Sequence, residues 1–402
     1  MCQLKADITV TPSATRILYH VSPFYAISNQ AAVSSIYRNS SLNLCKTLKC
    51  FVFFIDYGNI IGNSKKEGSV KYNMKKLRFL IGRIFGMNYK QLFDTVKKVH
   101  KVSGKNSVAL FFDIIYCGLK YQAGYIDYLN ARMDTLNAEE RRDVVTRGVN
   151  NQYVVKYNDF DYVHYFINKV DFNEKFSKYL GRDWLFVKSA DQRDEFAEFI
   201  KGKEDFILKP VDGTHGDGVA KLPASMESFD ASLDKMPYLA EERIIQVEEM
   251  SALNPSSVNT IRAITFLKDG KATLLAAYVR IGRDGIVDNF CNGGMLTPVD
   301  LETGTLMYPA VDGENIAYDI HPITHTSIIG FKVPQWEKIK EMALEAALVV
   351  PQVRYVGWDI AVSENGPCLI EGNEYPGHVF YVFAEHHPDH KGCRHIFESV
   401  MD

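Results

Sequence analysis

Leu92, Val96 and Val99, then Val108, Phe111, Phe112 and Ile115, recur at three- and four-residue steps, the period of a helix that buries one face. The rhythm runs from Met74 to about Asn168 and predicts a mainly helical region over 74–168. Within it Asn137 precedes Ala138, Glu139 and Glu140; an amide oxygen there caps backbone N–H groups, with acidic residues in the first turn. From about Val170 the pattern mixes strands and helices. Phe206, Ile207 and Leu208 form a short apolar run, which predicts a buried strand. Residues 261–267 and 272–279 read as strands joined at Asp269-Gly270, a dipeptide suited to a hairpin turn. An amphipathic helix is predicted over 336–349, after Pro334, and a second strand pair over 356–362 and 368–371, around Glu364-Asn365-Gly366. Residues 1–73 hold neither period, and 63–69 reads as a linker. Met74, followed by Lys75, Lys76, Leu77 and Arg78, reads as the natural first residue, with the preceding stretch as an upstream extension to which no chemistry is assigned. No internal repeat is visible.

Composition narrows the picture. At 402 residues and 46% apolar content the chain can build two or three packed units. A net charge of −3 calls for no nucleic-acid partner. Seven scattered cysteines with no CxxC pair read as reduced thiols rather than a disulfide framework or zinc site. The apolar run at 51–61 is interrupted by Asp56 and Asn59 and is too short to span a bilayer. With no recognisable signal peptide, a cytoplasmic location is expected. Residues 75–105 are densely basic, with only Asp94 opposing. They read either as a solvated helix face or as a peripheral patch on an anionic membrane or phosphorylated carrier.

Two constellations carry chemistry. Residues 206–222 read FILKPVDGTHGDGVAKL: a strand delivers Lys209, then a loop with Gly213, Thr214, Gly216 and Gly218 follows. Glycines let backbone N–H groups approach phosphate oxygens, and the lysine adds a point charge. Lys209 precedes the glycines, so this is neither a Walker loop nor a dinucleotide fingerprint; a plain hairpin is the alternative. Far downstream, Asp359 and Glu371 fall on strands joined by a tight turn, and Asn373 lies two residues beyond Glu371. Antiparallel neighbours can share a face, and i, i+2 residues do. Two carboxylates and an amide oxygen suit Mg²⁺ shared with phosphates better than zinc. Between the constellations lie Arg262, Arg280 and Asn289, where fixed positive charge makes sense if an anion sits opposite the carboxylates.

In this order the residues resemble the ATP-grasp superfamily, and within it the alpha-L-glutamate ligases, over roughly 165–380. Segments 117–121 (CGLKY), 179–184 (YLGRDW) and 257–262 (SVNTIR) are similar to the sugar-transfer-associated ATP-grasp proteins found with polysaccharide genes. The resemblance implies an α+β ATP-grasp fold, two α+β lobes with ATP between them, preceded by the helical region. The ATP-grasp domain would span 169–402, with lobes at about 169–245 and 246–402. It implies Lys169 (or Lys175) and Lys209 on the phosphates, Glu241 and Glu242 with the Arg243 and Ile244 backbone at adenine, and Glu249 (or Glu248) at ribose. Asp359, Glu371 and Asn373 would hold Mg²⁺, with Mn²⁺ as a substitute, and Arg262, Arg280 and Asn289 would lie near the transferred phosphate. The implied activity is ATP-dependent joining of a carboxylate to an amine through an acylphosphate, in cell-surface polysaccharide or glycoconjugate synthesis. His378 and His215 are the candidate bases. A kinase acting on a sugar or polyol hydroxyl, and a non-catalytic nucleotide-binding scaffold, are the alternatives. Most such ligases begin with a small α/β domain, so the helical 74–168 prevents carrying over substrate identity.

Overall fold

The computed structural model describes residues 88–402, except 212–217, 284–289 and 291–292. The run at 51–61, the linker at 63–69, the Met74 start and the basic residues before 88 therefore lie outside the described residues. The chain opens with helices α1 (Tyr89–Ser103), α2 (Ser107–Lys120), α3 (Tyr125–Asn130), α4 (Ala138–Asp143) and α5 (Arg147–Tyr157). In α1, Leu92, Val96 and Val99 are buried while Lys97, Lys98 and Lys101 face solvent. Asn137 caps α4, accepting from Glu139 and Glu140 N–H, and Glu140 reaches back to the Asn137 N–H at 2.7 Å, a capping box. Val108 departs from its expected place in the apolar stripe. It lies in the first turn of α2 and is exposed, and the stripe is instead Leu110, Phe111, Ile114 and Ile115. Short helices α6 (His164–Ile167), α7 (Lys169–Lys175) and α8 (Ser177–Leu180) lead into the sheets.

The smaller sheet contains β1 (Trp184–Val187), β2 (Asp205–Pro210), β3 (Ala220–Pro223) and β4 (Tyr238–Glu242), antiparallel in the order β1-β4-β2-β3. Alternation sends Phe206, Leu208, Tyr238 and Ala240 into a core with Phe196 and Phe229, from helices α9 (Arg193–Phe199) and α10 (Met226–Asp230). Burying each phenylalanine contributes roughly 1.5–3 kcal/mol. The same alternation turns Ile207, Lys209, Leu239 and Glu241 to the opposite face. Helix α11 (Glu248–Leu253) follows.

The larger sheet has seven strands in the order β11-β10-β5-β6-β7-β8-β9. They are β5 (Thr260–Lys268), β6 (Lys271–Ile281), β7 (Met295–Pro298), β8 (Ala310–Asp312), β9 (Ala317–Tyr318), β10 (Tyr355–Ser363) and β11 (Gly366–Asn373). Asp269 and Gly270, both at positive φ, close the β5–β6 hairpin. Helix α12 (Trp336–Ala346) is three residues shorter than the sequence pattern predicts; it covers one face with Trp336, Ile339, Ala343 and Ala346 against Ile261, Ala263, Val279 and Ile360. The other face packs Ile264, Phe266, Tyr278 and Tyr355 against α5, Phe380, Phe383 and Phe397 of the C-terminal helix α13 (Arg394–Met401). Among the described residues, no helix is long and apolar enough to cross a membrane.

Candidate functional site

Because β5 is covered on both faces, its odd and even residues are sorted between two cores, and Arg262 falls on the Ile264/Phe266 side. Register then lines up a row across four strands: Glu371 opposite Asp359, Asp359 opposite Arg262, and Arg262 opposite Tyr278. Arg280 lies two residues beyond Tyr278, on the same face. A β-bulge makes the row possible. The β10–β11 register shifts so that Asp359 pairs with Glu371 but Ile360 pairs with Leu369. The extra residue, Ile370, inverts strand parity. Leu369 can therefore stay in the apolar core while Glu371 and Asn373 turn to the charged face.

Asp359 is fully buried and held by both arginines. Arg262 grips it with Nε and Nη2, the latter 2.9 Å from Oδ2, and donates from Nη1 to the Pro376 carbonyl at 2.7 Å. Arg280 Nη2 is 3.0 Å from Asp359 Oδ2, and its Nε donates to Thr260 Oγ1 at 2.8 Å. Gly357 permits this close approach, since a Cβ there would come 3.0 Å from Arg262 Cδ. Burial pushes the Asp359 carboxyl up, but the two guanidinium charges outweigh it and bring it down to about 2. The arginines thus sit directly on the carboxylate, with no gap for an anion between Arg262 and Asp359.

Glu371 has the opposite environment. Its rim is solvent-exposed while protein and the Asp359 charge hem in its other side. That burial and that charge push it up to about 7, because Arg280 and Arg262 pull only weakly on it. Asn373 completes the group, its Nδ2 donating at 3.5 Å to both Asp359 Oδ2 and Glu371 Oε1. Among the described residues, no three His, Cys, Asp or Glu side chains form a metal-holding group; the donor set is two carboxylates and one amide. The carboxylates and the Asn373 amide oxygen are hard ligands, and among the described residues Glu371 forms no ion pair. A Mg²⁺ ion fits that deficit.

The second cluster lies on the Lys209 face of the small sheet. Glu241 pairs with Ile207 in register, so Lys209, two residues on, reaches it diagonally. Lys209 Nζ is 2.6 Å and Arg182 Nε 3.0 Å from the same oxygen, Glu241 Oε2, and Asn173 Nδ2 donates to Oε1 at 3.0 Å. Burial raises the Glu241 carboxyl, but Arg182 and Lys209 overrule it and hold the group well below the ordinary carboxylate range. Arg182 also donates to the Leu369 carbonyl at 2.7 Å, tying the Lys209 cluster to the strand that carries Glu371. Lys169 begins α7, four residues before Asn173, hence on the helix face that reaches Glu241. Lys175 instead stands over the Tyr165 ring at 5.1 Å.

The remaining expected residues are distributed around these clusters. Glu242 accepts from the Asp183 N–H, Arg243 pairs with Asp205, and the chain leaves strand conformation at Arg243 and Ile244. Glu248 and Glu249 are exposed at the start of α11. Gly218 adopts φ +74°, and a Cβ there would meet Pro210 at 2.7 Å, so the loop returns tightly onto its own entry. Gly213, Thr214, Gly216, His215 and Asn289 lie outside the described residues. His378 Nε2 is 3.3 Å from Oδ1 of Asp127, a buried carboxylate in α3 whose Oδ2 accepts from the Gly124 and Arg147 N–H groups. Sequence reasoning missed Arg182, Asn173 and Asp127. The four-residue spacing from Lys169 could have found Asn173, whereas nothing local marks Asp127.

Residues 220–387 match the model of the family described as sugar-transfer associated ATP-grasp. The match covers less than half of the chain and includes the 257–262 segment but not 117–121 or 179–184. It places that segment in the ATP-grasp superfamily, and the α+β fold is that of ATP-grasp proteins. Comparison with curated proteins finds no match. Among solved structures, D-alanyl-alanine synthetase A from Vibrio cholerae O1 biovar eltor is 12% identical, with a TM-score of 0.36 over 59% of this chain and 63% of its own. D-alanine–D-alanine ligase from Helicobacter pylori is 11% identical, with a TM-score of 0.34 over 60% and 62%. An L-amino acid ligase from Bacillus licheniformis is 11% identical, with a TM-score of 0.33 over 52% and 41%. This chain thus spans less than two thirds of each of those structures.

Proposed function

We propose that this chain is an ATP-dependent carboxylate–amine ligase that works through an acylphosphate, serving cell-surface polysaccharide or glycoconjugate synthesis. One observation carries the reading: Arg182 joins a buried Lys209–Glu241 cluster to the strand whose next turn of register holds Glu371 beside Asp359. Cations on one sheet and acidic oxygens on the other suit the two sides of a nucleotide triphosphate. The family description, sugar transfer, motivates the pathway assignment.

In this reading Lys209 and Lys169 take the nucleotide phosphates, the Arg243–Ile244 backbone the adenine, and Glu249 the ribose. Glu371, Asp359 and Asn373 would hold Mg²⁺, which supplies charge neutralisation at the phosphoryl oxygens. Arg262 fixes Asp359 in place, and with Arg280 keeps the charged face near neutrality. A carboxylate substrate accepts the phosphoryl group, and the attacking amine then displaces phosphate. His378, its Nε2 3.3 Å from Asp127 Oδ1, is the side chain we assign to take the amine proton. This gives the helical region a part in catalysis.

The test is phosphate release from Mg–ATP by the full chain against pooled amino acids, uronic acids and amino sugars. A ligase yields ADP, phosphate and an amide; a kinase yields a phosphorylated acceptor and no free phosphate. Lys209→Ala should weaken ATP binding by roughly 10- to 100-fold, as loss of one charge-assisted contact does. No turnover with any acceptor, together with unchanged ATP affinity in Lys209→Ala, would discard the reading.

A further inference from the structure

Two cations share one buried carboxylate oxygen, and they are not equivalent. Arg182 is fixed: its side chain is 2% exposed, and Nη1 donates to the Leu180 and Leu369 carbonyls at 3.1 and 2.7 Å. Lys209 is the more accessible, at 17%, and carries its charge on a flexible four-carbon stem. Glu241 keeps a third hydrogen bond from Asn173 whichever cation is present. The cluster therefore holds two positive charges against one negative charge, and Arg182 Nη2 is buried with no hydrogen-bond partner. Among the described residues it is one anion short.

We propose that Arg182 is the standing counterion of Glu241, the residue that lets Lys209 leave this carboxylate for a nucleotide phosphate. The inference rests on the ATP-binding reading above. Removing one partner of a buried ion pair is costly because a charge is left uncompensated. With Arg182 in place, Lys209 departs and Glu241 remains paired. Without it, every nucleotide bound through Lys209 would strand a buried carboxylate. Arg182 is thus a positioning residue, acting on the nucleotide through Lys209. The excess charge belongs to the resting site and is matched only when the phosphate arrives.

The test is a double-mutant cycle read by Mg–ATP affinity in the full chain, measured by calorimetry. Arg182→Met should weaken binding on the order of 100-fold in the native background. In a Glu241→Gln background, where no carboxylate needs a counterion, the same change should cost less than about fivefold. Arg182→Lys, which keeps the charge but loses the guanidinium fork, should stay within about tenfold of the native chain. An equal loss in both backgrounds, or an Arg182→Lys defect as large as Arg182→Met, would make Arg182 a packing residue and overturn the proposal. So would unchanged affinity in Arg182→Met. If Arg182→Met does not fold alone, Arg182→Lys and the Arg182→Met/Glu241→Gln chain decide by the same limits. If the native chain fails to bind Mg–ATP, or Lys209→Ala binds it normally, the ATP reading itself falls; if both behave as expected and the cycle is flat, only this proposal does.

Discussion

Glu371→Gln separates the metal assignment from the architecture of the sheet. Glu371 is pushed from its ordinary 4.5 to about 7 by burial and by the neighbouring Asp359 charge. For a group sealed from water, that rise would penalise the ionised form by ~3 kcal/mol. Its exposed rim lets solvent screen much of this, leaving about 1 kcal/mol. A carboxyl raised in the fold stabilises the native state fully below its unfolded value, and loses that contribution as pH climbs through the folded one. The window is therefore pH 4.5 to about 7. Above it, in metal-free buffer, Glu371→Gln removes a repulsion and should unfold at slightly higher urea than the native chain, by about 1 kcal/mol. Added Mg²⁺ should reverse the order, because binding stabilises only a protein that can hold the ion, by ~2.7 kcal/mol at a hundredfold excess over Kd. ATP turnover in the variant should fall ~100-fold or more. Paired urea titrations at pH 8, with and without Mg²⁺, and a phosphate-release assay report all three. A variant less stable than the native chain without metal, or one with normal turnover, would refute the reasoning.

The partner carboxylate should behave in the opposite way. Asp359→Asn leaves Arg262 and Arg280 without their shared anion, so it should destabilise the fold by about 3–5 kcal/mol, visible as a lower urea midpoint, besides ending turnover. His386 should set the acid limb of stability. Burial lowers its ring from 6.5 to about 3, its Nε2 donates to the Pro309 carbonyl, and its Nδ1 has no partner. A histidine depressed in the fold favours the native state above its unfolded value, and that support drains away as pH falls from 6.5 towards 3. His386→Gln should flatten this loss, a few kcal/mol in the native chain, in urea midpoints across that range. Asp127→Asn should lower turnover at saturating ATP by about 10- to 100-fold, with ATP affinity unchanged.

The order of elements could be read directly from periodicity. Leu92, Val96 and Val99 mark a helix face, Asp269-Gly270 a hairpin, and Phe206 to Leu208 a buried strand, because each depends on neighbours within a few residues. The types of residue needed for a phosphate-and-metal site were also visible: Lys209 at a strand end, then two acidic residues and an asparagine on a strand pair. What the sequence could not settle was which charges meet. The bulge at Ile370 decides that Glu371 faces Asp359 while Leu369 stays in the core, and a bulge depends on the partner strand rather than on local pattern. Arg262 was expected across an anion from the carboxylates; sheet register seats it on Asp359 itself. Arg182 meets Glu241 from 59 residues away in sequence, and Asp127 meets His378 from a helix outside the sheets. Such pairings follow from burial. Once folding removes a charge from water it must find its counterion in three dimensions, and only the tertiary structure can say which one is near.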